Sequence, residues 1–142
     1  MQTYIKKEFR FEYGHRLLNH PTKCKNIHGH NQRVIIYARS KTNELNDLGM
    51  VIDFNDLKEG IGKWIDEHWD HALIFNKDDV EIKKMFENTS FKTYKMPYNP
   101  TAENMSLYLI EIICPYLYRE SDIEIFKIEV YENDFSSAVS EI

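Results

Sequence analysis

Cys24, His28 and His30 form a C-x-x-x-H-G-H run, and His15 lies a short distance upstream. His28 and His30 are two residues apart, so on an extended strand both side chains point the same way. Three imidazoles brought to one point suit zinc. Three protein ligands leave a fourth coordination position open, which separates catalytic from structural zinc. Cys24 has two readings here: a fourth ligand, or a reactive thiolate standing beside the metal. A lone histidine on an apolar face is most often a satisfied core residue, whereas three together with an H-x-H pair point to zinc.

The elements that must carry these residues show in the hydrophobic pattern. From Ile5 to His15 the odd positions (Ile5, Lys7, Phe9, Phe11, Tyr13), apolar but for Lys7, alternate with charged even ones (Lys6, Glu8, Arg10, Glu12), which describes a half-buried strand with His15 closing the inward row. A second strand, roughly residues 31–40, sets Val34, Ile36 and Ala38 on the parity shared by His28 and His30. After a polar connection over Lys41–Gly49, Leu57, Ile61, Trp64 and Ile65 recur at helical spacing, although Gly60 and Gly62 weaken the middle of that helix. Residues 78–87 suit a short helix, and residues 90–99 an irregular or extended segment. Pro100-Thr101 opens a stronger helix capped by Thr101, which Pro115 should end or kink. Strands are expected near 123–132 and 136–141.

Two further features could serve a metal-centred reaction. Asp70 and His71 are adjacent; a carboxylate can hold an imidazole in one tautomer, and histidine moves protons near neutral pH. With Cys24 they would form a proton-transfer set, although an adjacent Asp-His is also an ordinary surface turn. Glu132 continues the apolar row Phe126, Ile128, Val130. Either the strand has ended and the acid is solvated, or a carboxylate is offered to a ligand with paired N–H donors.

Composition bounds the rest. The chain has 142 residues, 42% hydrophobic and 29% charged, which fits one globular domain, residues 1–142, with a real core. A net charge of -5 argues against a nonspecific nucleic-acid binder. No apolar run is long enough to cross a membrane, and the N-terminus alternates as a strand with no signal-peptide pattern. The two cysteines make no disulfide framework, so a reducing cytoplasm is the expected setting, with Cys114 as inert core. Lys6, Lys7, Arg16 and Lys25 are candidates for phosphate contact, each also explained as a solvated charge.

These motifs together resemble the 6-pyruvoyltetrahydropterin synthase/6-carboxytetrahydropterin synthase family, nearly end to end. Phe11–Leu17 is similar to its F-x-A-A-H-R-L opening, with Tyr13 and Gly14 in place of the usual small pair. Cys24–His30 matches C-x-x-x-H-G-H in full. Gly49–Phe54 resembles G-x-[VI]-[IVM]-D-F, and Trp69–Asn76 resembles L-D-H-x-x-L-N with Trp69 replacing Leu and one extra residue before Asn76. Asn99–Asn104 matches N-P-T-x-E-N, and Val130-Tyr131-Glu132 resembles the late strand that ends in the substrate glutamate.

The resemblance implies an α+β T-fold: a four-stranded antiparallel sheet with helices on one face, assembled as a homohexamer (a dimer of trimers) with active sites at subunit interfaces. It implies Zn2+ held by His15, His28 and His30, with 7,8-dihydroneopterin triphosphate as the small-molecule substrate. Cys24 would be the base, Asp70 and His71 the proton relay and Glu132 the pterin grip, with Thr101 and Glu103 near the pterin pocket. The favoured activity is that of a lyase of the queuosine route, giving 6-carboxy-5,6,7,8-tetrahydropterin, acetaldehyde and triphosphate. The alternatives are 6-pyruvoyltetrahydropterin formation and a non-catalytic zinc- or pterin-binding homologue. A folate-route branch carries a glutamate before H-G-H, and Cys24-Lys25-Asn26-Ile27 has no acid there.

Overall fold

Strand β1 (Tyr4–His15) buries Phe11, Tyr13 and His15 while Glu8, Arg10 and Glu12 face outward. This is the period-2 pattern of its sequence. The computed structural model describes residues 1–142. β1 pairs antiparallel with β2 (His28–Ser40), which begins at the first histidine of H-G-H rather than after it. β2 pairs antiparallel with β5 (Ile123–Asn133), and β5 with β6 (Ser136–Glu141).

The sheet has six strands, not four, in the order β4-β3-β1-β2-β5-β6. The expectation of a four-stranded, purely antiparallel sheet is thereby corrected. The additional strands, β3 (Ala72–Asn76) and β4 (Thr93–Met96), extend the β1 edge in parallel pairings. Both are short. In β3 the run Ala72-Leu73-Ile74-Phe75 is apolar on both parities, so no alternation marks it as a strand.

The helices pack on the face of the sheet that carries Phe11, Val34 and Ile36, closing one core of aliphatic and aromatic side chains. Helices α1 (Phe54–Leu57) and α2 (Lys63–His68) are joined by a π-helical turn at Lys58–Gly62. The Tyr118 hydroxyl enters that turn and accepts the Ile61 N–H at 3.1 Å. A Cβ on Gly60 would collide with the Tyr118 hydroxyl, which explains a glycine that otherwise only weakens the helix. Helix α3 (Val80–Phe86) follows β3, and α4 (Ala102–Tyr108) starts at the Thr101 cap. A second π-helical turn, Leu109–Ile113, leads into α5 (Cys114–Leu117). The chain thus stays helical past Pro115, and the widened turn precedes a ring that cannot donate an N–H. Cys114 is buried, and burial pushes its thiol up.

Candidate metal centre

The β1–β2 register builds the site. Tyr13 lies opposite His30, Gly14 opposite Gly29, and His15 opposite His28. His15 and His28 are therefore direct cross-strand neighbours on one face, and His30 is one pleat further along the same face. The His15 Nε2 lies 3.1 Å from the His28 Nε2 and 3.1 Å from the His30 Nε2.

The other ring nitrogens fix what these atoms are. His15 Nδ1 meets the Pro100 carbonyl at 2.8 Å, and His28 Nδ1 meets the Asn26 carbonyl at 2.8 Å. A carbonyl only accepts, so each Nδ1 carries the proton and each neutral ring turns a bare lone pair on Nε2 toward its neighbour. Lone pairs facing one another at this distance need a cation between them. Nitrogens about 2.0–2.1 Å from a tetrahedral zinc stand roughly 3.3 Å apart, close to the spacing found. The residues present fit the metal.

Glu132 joins them. Its Oε1 lies 3.3 Å from His30 Nε2, and the four donor atoms of His15, His28, His30 and Glu132 all lie within 4.8 Å of one another. The β5–β6 pairing shifts register between Tyr131 and Asn133, so Glu132 sits on a bulge, a device that re-aims a side chain. His15 is only 1% exposed. Burial, together with the neighbouring His28 and His30, outweighs the Pro100 bond and holds its imidazole down to about 4. Burial likewise lowers His30, against the pull of Glu132. Both rings are kept neutral near pH 7, the ligand form.

Asp70 and His71 form the expected pair, with His71 Nδ1 3.1 Å from Asp70 Oδ2. The structure adds a residue that spacing did not reveal: Glu12 Oε2 lies 3.2 Å from His71 Nε2, placing the imidazole between two carboxylates. His71 has φ 60, a left-handed conformation that only a few per cent of non-glycine residues adopt, histidine more often than most. Its N–H reaches the Glu12 carbonyl at 2.6 Å, and the Glu12 N–H donates to Asp70 Oδ1 at 2.9 Å. Glu12, His28, His30, His71, Leu73 and Lys92 help line one cleft of about 660 Å³.

Cys24 stands apart from the donor cluster, in a 3-10 turn at Lys23–Lys25, where its carbonyl accepts the Leu17 N–H at 2.8 Å. The Thr101 hydroxyl is occupied as the α4 cap by the Asn104 N–H at 3.1 Å. Glu103 is exposed and faces a second groove, between α4 and β6. Arg16 is not a solvated charge: Nε and Nη2 clamp Asp79 at 2.6 and 2.7 Å.

A model of the family described as 6-pyruvoyl tetrahydropterin synthase matches residues 4–141. The chain belongs to that family. It is 39% identical over 127 residues to the 6-carboxy-5,6,7,8-tetrahydropterin synthase of Rickettsia conorii, covering 89% of this chain and 91% of that one. Identity to the Rickettsia typhi protein of the same name is 43% over 124 residues, covering 86% and 88%. For the Haemophilus influenzae protein of that name it is 34% over 112 residues, covering 74% and 77%. Among solved structures, an uncharacterized protein from Wolinella succinogenes superimposes with a TM-score of 0.84 at 23% identity over 98% of this chain and 97% of that one. The Caenorhabditis elegans 6-pyruvoyl tetrahydropterin synthase gives 0.66 at 23% identity over 99% and 95%; at these identities the two likenesses show the fold alone.

Proposed function

We propose that the chain is a zinc-dependent 6-carboxy-5,6,7,8-tetrahydropterin synthase. It would take 7,8-dihydroneopterin triphosphate to 6-carboxy-5,6,7,8-tetrahydropterin, acetaldehyde and triphosphate, a lyase reaction of queuosine biosynthesis. The observation that carries the reading is the convergence of three Nε2 atoms, with the His15 and His28 rings each pinned by a main-chain carbonyl that leaves Nε2 unprotonated. The names of the Rickettsia relatives support the 6-carboxy product over the 6-pyruvoyl one.

His15, His28 and His30 would hold the metal. When bound, zinc supplies Lewis acidity to the hydroxyls of the substrate's side chain. Cys24, as thiolate, would take a side-chain proton, and His71 would pass protons, oriented by Asp70 and, on its other nitrogen, by Glu12. Glu132 would accept the paired N–H donors of the pterin. Thr101 and Glu103 would border the pterin pocket. Within one chain Glu103 faces a different groove from the His71 cleft, and β4 and β6 leave both edges of the sheet unpaired. These features support the homohexamer, in which edges pair and neighbouring subunits complete each site. No helix is long and apolar enough to cross a membrane. The reading carries a cytoplasmic setting that keeps Cys24 a free thiol.

The deciding experiment incubates zinc-loaded protein with 7,8-dihydroneopterin triphosphate and follows pterins by mass spectrometry beside an acetaldehyde assay. A 6-carboxypterin with acetaldehyde supports the proposal. A 6-pyruvoyl product without acetaldehyde moves the chain to the activity for which the family model is named. Unchanged substrate with zinc bound favours a binding role. Cys24→Ala should abolish turnover with zinc retained; loss of zinc instead would make Cys24 a ligand.

A further inference from the structure

We propose that Asn99 is a positioning residue for the metal centre: its side-chain amide locks the Pro100 carbonyl onto His15 and so sets which ring nitrogen His15 offers. This rests on the metal reading above and names a residue outside the donor set.

The Asn99 amide makes three of the four hydrogen bonds open to it. Its Oδ1 accepts from the Leu18 N–H at 3.0 Å and from Asn76 Nδ2 at 3.0 Å, while its Nδ2 donates to the Leu18 carbonyl at 3.0 Å. The amide therefore grips both groups of Leu18, much as a strand neighbour would. Its main-chain carbonyl accepts from Asn104 Nδ2 and the Thr101 N–H, each at 2.9 Å. Pro100 is consequently held on one side by the Asn99 clamp and on the other by the Thr101 cap. Between them its carbonyl faces His15 Nδ1 at 2.8 Å.

Burial makes this arrangement consequential. His15 is 1% exposed and Pro100 is buried, so no solvent stands ready to replace the carbonyl. Without it the ring loses the bond that keeps the proton on Nδ1, and the other tautomer points an N–H into the donor cluster. Partners of this kind typically change metal affinity by about 10–100-fold when removed. The same clamp reaches Cys24, because the Leu17 N–H, one residue before the gripped Leu18, is bound to the Cys24 carbonyl at 2.8 Å. One amide thereby ties together the chain that follows His15, the start of α4 and the turn that carries the thiol.

The test is competition for zinc between the metal-free protein and a chromophoric chelator of known affinity. Asn99→Ala should bind zinc about 10–100-fold more weakly with its circular dichroism unchanged. Asn99→Asp, which cannot donate to the Leu18 carbonyl, should fall in the same direction. A merely structural residue would lower the melting temperature of metal-free and zinc-loaded protein alike. A positioning residue shrinks the rise that zinc produces. Asn76→Ala covers the case in which Asn99→Ala does not fold: it removes one donor to Asn99 Oδ1, leaves the Leu18 grip, and should weaken zinc by about 2–10-fold. Wild-type zinc affinity in a folded Asn99→Ala protein, or in Asn76→Ala, overturns the proposal. A wild-type chain that takes up no zinc overturns the metal reading itself, and the wild-type titration tells the two failures apart.

Discussion

Gly29, between His28 and His30, offers a test of whether the close approach of β1 and β2 holds the site together. A Cβ at Gly29 would lie 2.9 Å from the Tyr13 carbonyl oxygen, a main-chain atom that cannot swing away. To restore ordinary contact at 3.4 Å, the strands must part by about 0.5 Å at the Gly14–Gly29 pair, next to the pair where His15 faces His28. Forced overpacking of this kind costs about 1–3 kcal/mol. Losing glycine's extra freedom in the unfolded chain returns about 0.5–1 kcal/mol. Gly29→Ala should therefore cost about 1 kcal/mol within a span of about 0–2.5, a fall of about 4 °C and at most about 8 °C for a chain of 142 residues. The control lies directly across the ladder. A Cβ at Gly14 would meet Leu73 Cδ1 at 3.5 Å and the His28 carbonyl at 3.6 Å, ordinary contacts. Gly14→Ala should be neutral or slightly stabilising. Thermal melts of both variants, zinc-free and at one protein concentration, give the comparison. Zinc titration of the same samples should show the loss of affinity in Gly29→Ala alone. A Gly29→Ala protein melting at or above Gly14→Ala would refute the reasoning.

Acid should act through Asp79, which caps α3 and carries the Arg16 clamp. Burial alone would raise this carboxyl, but the bonds from Arg16 and the Ile82 N–H outweigh it and hold it below the usual range. Its contribution is therefore complete above the unfolded value of about 3.9 and is lost as pH falls through the lower folded value. Asp79→Asn should cost about 3 kcal/mol at pH 7 and flatten the loss of stability below about pH 4, read from urea midpoints at several pH values. The Tyr13 hydroxyl is buried with no hydrogen-bond partner, and burial followed by the nearby Glu132 charge pushes the phenol well above its usual range. Tyr13→Phe should raise stability by about 1 kcal/mol in urea unfolding; a comparable loss would mean that the hydroxyl has a partner.

The parts of this molecule that could be read in its sequence are those where burial imposes a period. β1 has one wet face and one dry face, so its odd row emerges from the letters, and His15, His28 and His30 fall on a common face by parity. The α4 start was equally legible, because Thr101 is a capping side chain. β3 and β4 were not. A strand apolar on both parities has no alternation, and parallel neighbours share no turn that would announce their pairing. Glu132 left the sequence with two readings, since an acid at the end of an apolar row is either solvated or aimed. The register shift beside it places the carboxylate next to His30, and no residue type encodes a bulge uniquely.

The least legible part is the outer layer of the proposed metal centre. The groups that fix the histidine tautomers are main-chain carbonyls, which every residue carries. What makes the Pro100 carbonyl useful is the set of bonds that hold it still. Those bonds come from Asn99, Thr101 and Asn104, residues that read locally as a loop and a helix cap. The same short motif thus starts a helix and meets a histidine of the proposed metal site, because the helix begins where β1 ends. A substitution that keeps the cap but releases the clamp, such as Asn99→Ala, would separate these two roles.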